Sequence, residues 1–86
     1  MQMENVVTLK LSANEAIVLF DFLSREFDDN KANRIRTIFE SDSEYWALNS
    51  VYGQLEKTLV EPFRSDYKKI LEKARITLIE SNGIVD

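Results

Sequence analysis

The chain has 86 residues, with 11 basic against 15 acidic side chains, no cysteine and no histidine. That length holds one domain, with a core modest enough that folding buries roughly 60–65% of the unfolded surface. Disulfides, thiolate nucleophiles and Cys- or His-based metal sites are excluded, and so is the commonest general base. The net charge of −4 is uneven. Residues 1–33 carry three basic and six acidic side chains (−3), whereas residues 62–86 carry five basic and four acidic (+1). Nucleic-acid binding is not expected, because phosphate attraction supplies most non-specific affinity. The one basic concentration, Lys68, Lys69, Lys73 and Arg75, is interleaved with Asp66, Glu72 and Glu80 and reads as a solvated helix face.

Val7, Leu9 and Leu11 alternate with Thr8 and Lys10, the period of a half-buried strand. Ser12-Ala13-Asn14-Glu15 is a capping-box sequence, in which the serine hydroxyl and the glutamate satisfy each other's backbone donors. It opens a helix expected over about 13–27. The polar residues Asn14, Asp21, Arg25 and Asp28 form one narrow stripe on that helix, and Ala16, Ile17, Leu19, Phe20, Phe22, Leu23 and Phe27 fill the rest. So apolar a helix is central to its fold or part of an interface. Asp28-Asp29-Asn30-Lys31 ends it in a polar loop. Residues 34–39 contain β-branched side chains that suit a second short strand able to pair with 7–11, yet a helical turn fits them nearly as well; the start of the segment is read as helix or turn and the strand is left open.

Ser41-Asp42-Ser43-Glu44 is a second capping box, opening a helix expected over about 42–60. Tyr45, Leu48, Tyr52, Leu55 and Leu59 recur at +3, +4, +3 and +4, a single-face seam. Gly53 lies within this helix and suggests close approach of a neighbouring backbone. Pro62 ends the helix and Ser65 caps a third, expected over about 66–80, with Tyr67, Ile70, Leu71, Ala74 and Leu78 inward. Asn82-Gly83 supplies its stop, and Ile76 and Ile79 fall off the inner stripe.

The expected architecture is therefore mainly α: a single three-helix domain over 1–86 with a short N-terminal strand, possibly two-stranded if 34–39 pairs with it. Residues 1–5 and 82–86 are expected to be flexible ends. A strand without an in-chain partner, together with the apolar first helix, points to a homodimer. The longest apolar run, Ala16 to Phe20, is far short of the ~20 residues that span a bilayer, and the first residues lack a secretory pattern. No membrane association is expected, and the cytoplasm is the expected compartment.

Candidate chemistry is sparse. Glu26, Asp28 and Asp29, with Glu40, Asp42 and Glu44, could offer oxygen ligands to a hard cation. The loop lacks the alternating ligands and glycine of an EF-hand, and helix N-termini favour acids through their dipole alone, so no metal or cofactor is expected. Ser65-Asp66-Tyr67-Lys68 matches a Ser-x-x-Lys spacing, but Ser65 is explained as a cap. No enzymatic activity is expected. Trp46 stands out because it lies one residue off the seam and beside an acidic cap. Tryptophan and tyrosine dominate binding hot spots, and acids around them suit a partner with a basic surface. The expected protein-binding surface comprises Trp46, Tyr45, Glu40, Asp42, Glu44, Asp28 and Asp29.

Trp46-Ala47-Leu48, the run Leu55-Glu56-Lys57-Thr58-Leu59-Val60-Glu61-Pro62-Phe63, and Asp66-Tyr67 resemble a family of short acidic bacterial proteins, as does the stretch from Val7 to Leu23. The resemblance covers about residues 6–75. It implies no catalytic residues. Small proteins comparable to this family accompany bacterial toxins as immunity partners, and the resemblance implies such an inhibitory role here. A self-associating structural or regulatory protein is the alternative reading, and a carboxylate metal binder the third. The Glu61-Pro62-Phe63 segment is expected to stop the second helix and fold Phe63 back over the following corner.

Overall fold

A computed structural model describes residues 5–85, and within them the chain is mainly helical. Helix α1 spans Ala13–Ser24 and runs directly into a π turn over Arg25–Asp29. A short 3₁₀ turn, Ile35–Ile38, leads to helix α2, Asp42–Thr58. A second 3₁₀ turn, Glu61–Phe63, precedes helix α3, Tyr67–Asn82. The expectations for residues 1–4 and 86 lie outside the described residues.

Both capping boxes form. The Ser12 backbone N–H donates to the Glu15 carboxylate at 2.7 Å, and the Ser12 hydroxyl accepts from the Glu15 N–H at 3.1 Å. At the second, Glu44 accepts from the backbone N–H groups of Ser41 and Glu40, at 3.0 and 3.1 Å. These local bonds satisfy donors that have no partner inside the helix, which is why each helix starts where it does. Gly83, with φ of +97°, ends α3.

α1 is the central element, with α2 along one side and α3 along the other. On the α2 side, Phe20, Leu23, Phe27 and Tyr52 are buried with Ala32 and Ile35 from the connecting segment. Leu48 and Leu55 of the seam pack against this cluster while remaining half-buried. On the α3 side, Ile17, Leu71 and Ala74 are buried, flanked by Tyr67 and Ile70. Leu59, at the end of α2, touches both clusters.

Several expectations are corrected. Residues 6–11 form no strand; they are irregular and exposed, without ladder hydrogen bonds among the described residues. The segment 34–39 is not their partner, because it winds into a 3₁₀ turn that buries Ile35 in the core. β-Branched propensity is overridden there by the demand for one buried side chain. The α-helical part stops at Ser24, short of the expected Phe27, and the backbone continues as the π turn over Arg25–Asp29, in which Glu26 and Phe27 are both buried. α2 ends at Thr58, short of Val60. Ser65 does not cap α3; Asp66 occupies that position without a side-chain cap, its carboxylate held by Arg64 at 3.0 and 3.1 Å. Among the described residues, no atom beyond Gly53's own turn of helix would lie within 4 Å of a Cβ there, so no neighbouring backbone approaches it. Phe63 is 81% exposed and does not fold back over the corner.

Candidate functional site

The π turn ends in an unusual stretch of backbone. Lys31 and Ala32 both adopt left-handed conformations, with φ of +53° and +60°. For residues bearing a Cβ this costs roughly 1–2 kcal/mol each. The surrounding bonds hold it: the Ala32 N–H donates to the Glu26 carbonyl at 2.7 Å, and the Ala32 carbonyl accepts from the Arg36 N–H at 3.1 Å. Ala32 itself is buried in the core. This reversal swings residues 31–39 back against the start of α2.

Between that returning segment and α2 lies an open groove of about 330 Å³, lined by Lys31, Ala32, Arg36, Phe39, Asp42, Tyr45 and Trp46. A second depression of about 260 Å³ shares Arg36, Phe39 and Asp42 and extends to Asn33 and Thr37. A row of aromatic contacts leads from the core to this surface. Phe20 meets Tyr52 with ring centroids 5.6 Å apart, Tyr52 stacks on Phe27 at 5.9 Å, and Phe27 meets Tyr45 edge-on at 5.1 Å. Tyr45 in turn meets Trp46 edge-on at 5.0 Å. Trp46 is 65% exposed, an indole held on a rigid base and offered to solvent.

The acids expected around Trp46 are placed unequally. Glu44 is committed to the cap of α2. Asp28 accepts a hydrogen bond from the Tyr52 hydroxyl, which fixes it against the core edge. Burial first, and then donation to Asp28, raises the Tyr52 phenol above its ordinary value of 10.0. Asp29 and Glu40 are exposed and Asp42 lines the groove; none of the three takes part in an ion pair among the described residues. The carboxylates do not assemble into a group that could hold a metal ion among the described residues. Glu26, the remaining acid of the cluster, is buried and paired with Arg34, and that hydrogen bond, with the carboxylate's charge, raises the Arg34 guanidinium above its ordinary value.

Four groove residues escaped sequence reasoning: Lys31, Ala32, Arg36 and Phe39. Lys31 and Arg36 are exposed cations without an ion pair among the described residues. They balance Asp42 and Glu40, so the rim is charge-mixed instead of purely acidic. Only the left-handed reversal brings them to Trp46, and nothing in their sequence spacing signals it.

A second groove, of about 390 Å³, runs between α1 and α3, with Val18, Leu19, Phe22 and Leu78 as its apolar wall. Asp21 bridges Arg25 at 2.5 Å and Arg75 at 3.0 Å along its edge. No helix among the described residues is long and apolar enough to cross a membrane. No protein-family model, curated protein or solved structure matches the chain.

Proposed function

We propose that this protein is a small protein-binding module that docks a segment of a partner in the groove beside Trp46. The observation that carries the reading is the 65% exposure of Trp46 at the end of a packed aromatic row. A large aromatic side chain held rigid and left solvated contributes contact area at small entropic cost on binding, which is why tryptophan recurs at hot spots. The strained backbone at Lys31 and Ala32 supports the same surface, since such strain concentrates at ligand-binding segments.

The partner segment places an apolar or aromatic side chain against Trp46 and Phe39. An acid beside it meets Lys31 and Arg36. Basic groups further out meet Asp42, Glu40 and Asp29. The partner's surface is thus basic in its outer part, with an acidic contact at its centre. Inhibition of a bacterial toxin is the specific form that the family resemblance implies, acting in the cytoplasm, and no catalytic role is proposed.

Selection of displayed random peptides on the purified chain tests this. The expected consensus joins an aromatic or large apolar residue to an acid, and Trp46→Ala abolishes binding of the selected peptides. Lys31→Glu with Arg36→Glu is expected to weaken them by at least about tenfold, since each close charge pair contributes on the order of 1 kcal/mol or more. Failure to enrich any sequence, or binders indifferent to Trp46→Ala, overturns the reading. For the toxin form, the expected result is that the product of a neighbouring toxin gene is inhibited by the wild-type chain and not by Trp46→Ala.

A further inference from the structure

Residues 31–39 return from the π turn to the start of α2 as a strap along the side of the molecule. Ala32 and Ile35 are its buried side chains, and Phe39 is half-buried against the same cluster. Asn33, Arg34, Arg36, Thr37 and Ile38 are exposed. Against that small apolar burial stand two consecutive left-handed residues, Lys31 and Ala32, and backbone of this kind persists only where its surroundings over-determine it. The strap must therefore be fastened by something besides its apolar side chains.

Apart from a bond to the adjacent Asn30, the hydrogen bonds that tie the strap to the rest of the chain, among the described residues, all end on Glu26. The Glu26 carbonyl accepts from the Ala32 N–H at 2.7 Å. The Glu26 carboxylate accepts from the Arg34 guanidinium at both oxygens, Oε1 taking Nε–H at 3.3 Å and Oε2 taking the Nη2 donor. Such a fork fixes direction as well as distance. Glu26 is 5% exposed and the Arg34 side chain 66%, so the cation comes down on a buried acid from the solvent side. Neither residue lines the Trp46 groove. A buried ion pair is a weak source of stability, because apolar residues of similar volume often serve as well; its best-attested use is to fix one geometry among several.

We infer that Glu26 and Arg34 are positioning residues of the Trp46 groove: their forked pair latches the strap in its left-handed form and so holds Lys31, Arg36 and Phe39 beside Trp46. Released from the latch, the strap relaxes and carries those three side chains away from the indole. The helices stay packed, since Phe20, Leu23, Phe27 and Tyr52 meet without the strap. The groove is thus shaped by two residues that touch nothing bound in it. The effect on binding rests on the docking role proposed above, whereas the latch itself is measured without a ligand.

Amide hydrogen exchange followed by NMR reads the strap residue by residue. Arg34→Ala is expected to speed exchange at the Ala32, Arg36 and Thr37 amides by at least about tenfold relative to amides inside α1, as a local opening does. Arg34→Lys keeps the charge and gives up the fork, and is expected to restore part of that protection. The combined variant Glu26→Leu, Arg34→Ala separates positioning from stability. With no buried charge left, its urea midpoint is expected to match wild type while the strap amides stay unprotected. Peptides selected on the wild-type chain are expected to bind Arg34→Ala and the combined variant at least about tenfold more weakly, although neither altered residue lines the groove. Strap amides that keep their protection in Arg34→Ala, or regain it in the combined variant, would overturn the inference. So would exchange that quickens equally throughout the chain, which is loss of global stability alone, or selected peptides that bind Arg34→Ala as tightly as wild type. If no peptide is selected at all, the docking reading falls and exchange still decides the latch.

Discussion

The two sides of α1 are built differently. Toward α2, the helix buries Phe20, Leu23 and Phe27 against Tyr52, and the returning segment adds Ala32 and Ile35. The polar groups drawn into this side are paired: Tyr52 with Asp28, and Glu26 with Arg34. Toward α3, the buried residues are the smaller set Ile17, Leu71 and Ala74, and the Tyr67 hydroxyl is buried with no hydrogen-bond partner among the described residues. An apolar groove stays open there. Large side chains with satisfied polar groups lock α2 and the 31–39 segment in place, giving the Trp46 groove a rigid floor. α3 is held by less apolar volume and is the helix expected to open first in native-state exchange.

The sharpest way to break this contrast is to truncate one leucine on each side. Leu23 is 0% exposed, and Leu23→Ala is expected to cost about 3–4 kcal/mol, out of a total on the order of 5–10 kcal/mol for so small a domain. Leu71→Ala, in the smaller buried cluster, is expected to cost about 2 kcal/mol. Urea denaturation of both variants measures the difference, and equal losses would erase the asymmetry. Arg34→Ala comes next, expected to lower the urea midpoint because the buried Glu26 carboxylate loses its guanidinium. Adding Glu26→Gln should restore part of that loss.

The two tyrosines give a finer test. Tyr52→Phe removes a made hydrogen bond and is expected to cost about 1 kcal/mol, whereas Tyr67→Phe removes an unpaired hydroxyl and is expected to be neutral or stabilising by up to about 1 kcal/mol. Both phenols are raised above 10.0, each chiefly by burial. The neutral form is therefore favoured in the folded chain, and the unfolded chain ionises first. This contribution is fully present below pH 10.0 and is lost as pH rises through the raised folded values. Urea midpoints compared at about pH 8 and about pH 11 should fall less in the Tyr52→Phe, Tyr67→Phe double variant than in wild type.

Much of the helical frame was legible because its signals are local. Each capping box is complete within four residues, the Tyr45–Leu59 seam follows one helix period, and Gly83 marks its stop by its own conformation. What was not legible depends on contacts distant in sequence or on unusual backbone. The ambiguous 34–39 segment resolved into a turn because the core takes Ile35 and leaves Ile38 76% exposed. Glu26 reads as one member of a carboxylate cluster until Arg34, eight residues on, is brought against it. Trp46 could be singled out because it falls off the seam of its own helix. Lys31, Arg36 and Phe39 could not, since two consecutive left-handed residues lacking glycine have no sequence signature. The strand at 7–11 is a different case. Its pattern is plain, but among the described residues there is no strand edge for it to join.

The account rests most heavily on Trp46 being presented to solvent by the free chain. It is the sole tryptophan, so its fluorescence reports on the groove without interference. Acrylamide quenching at increasing protein concentration tests the claim directly. The account predicts emission typical of a solvated indole, quenched nearly as strongly as free tryptophan, and unchanged as protein concentration rises. A blue-shifted, shielded indole, or quenching that falls away as concentration rises, would mean that the groove is closed or covered by a second copy, and would contradict the proposed docking surface.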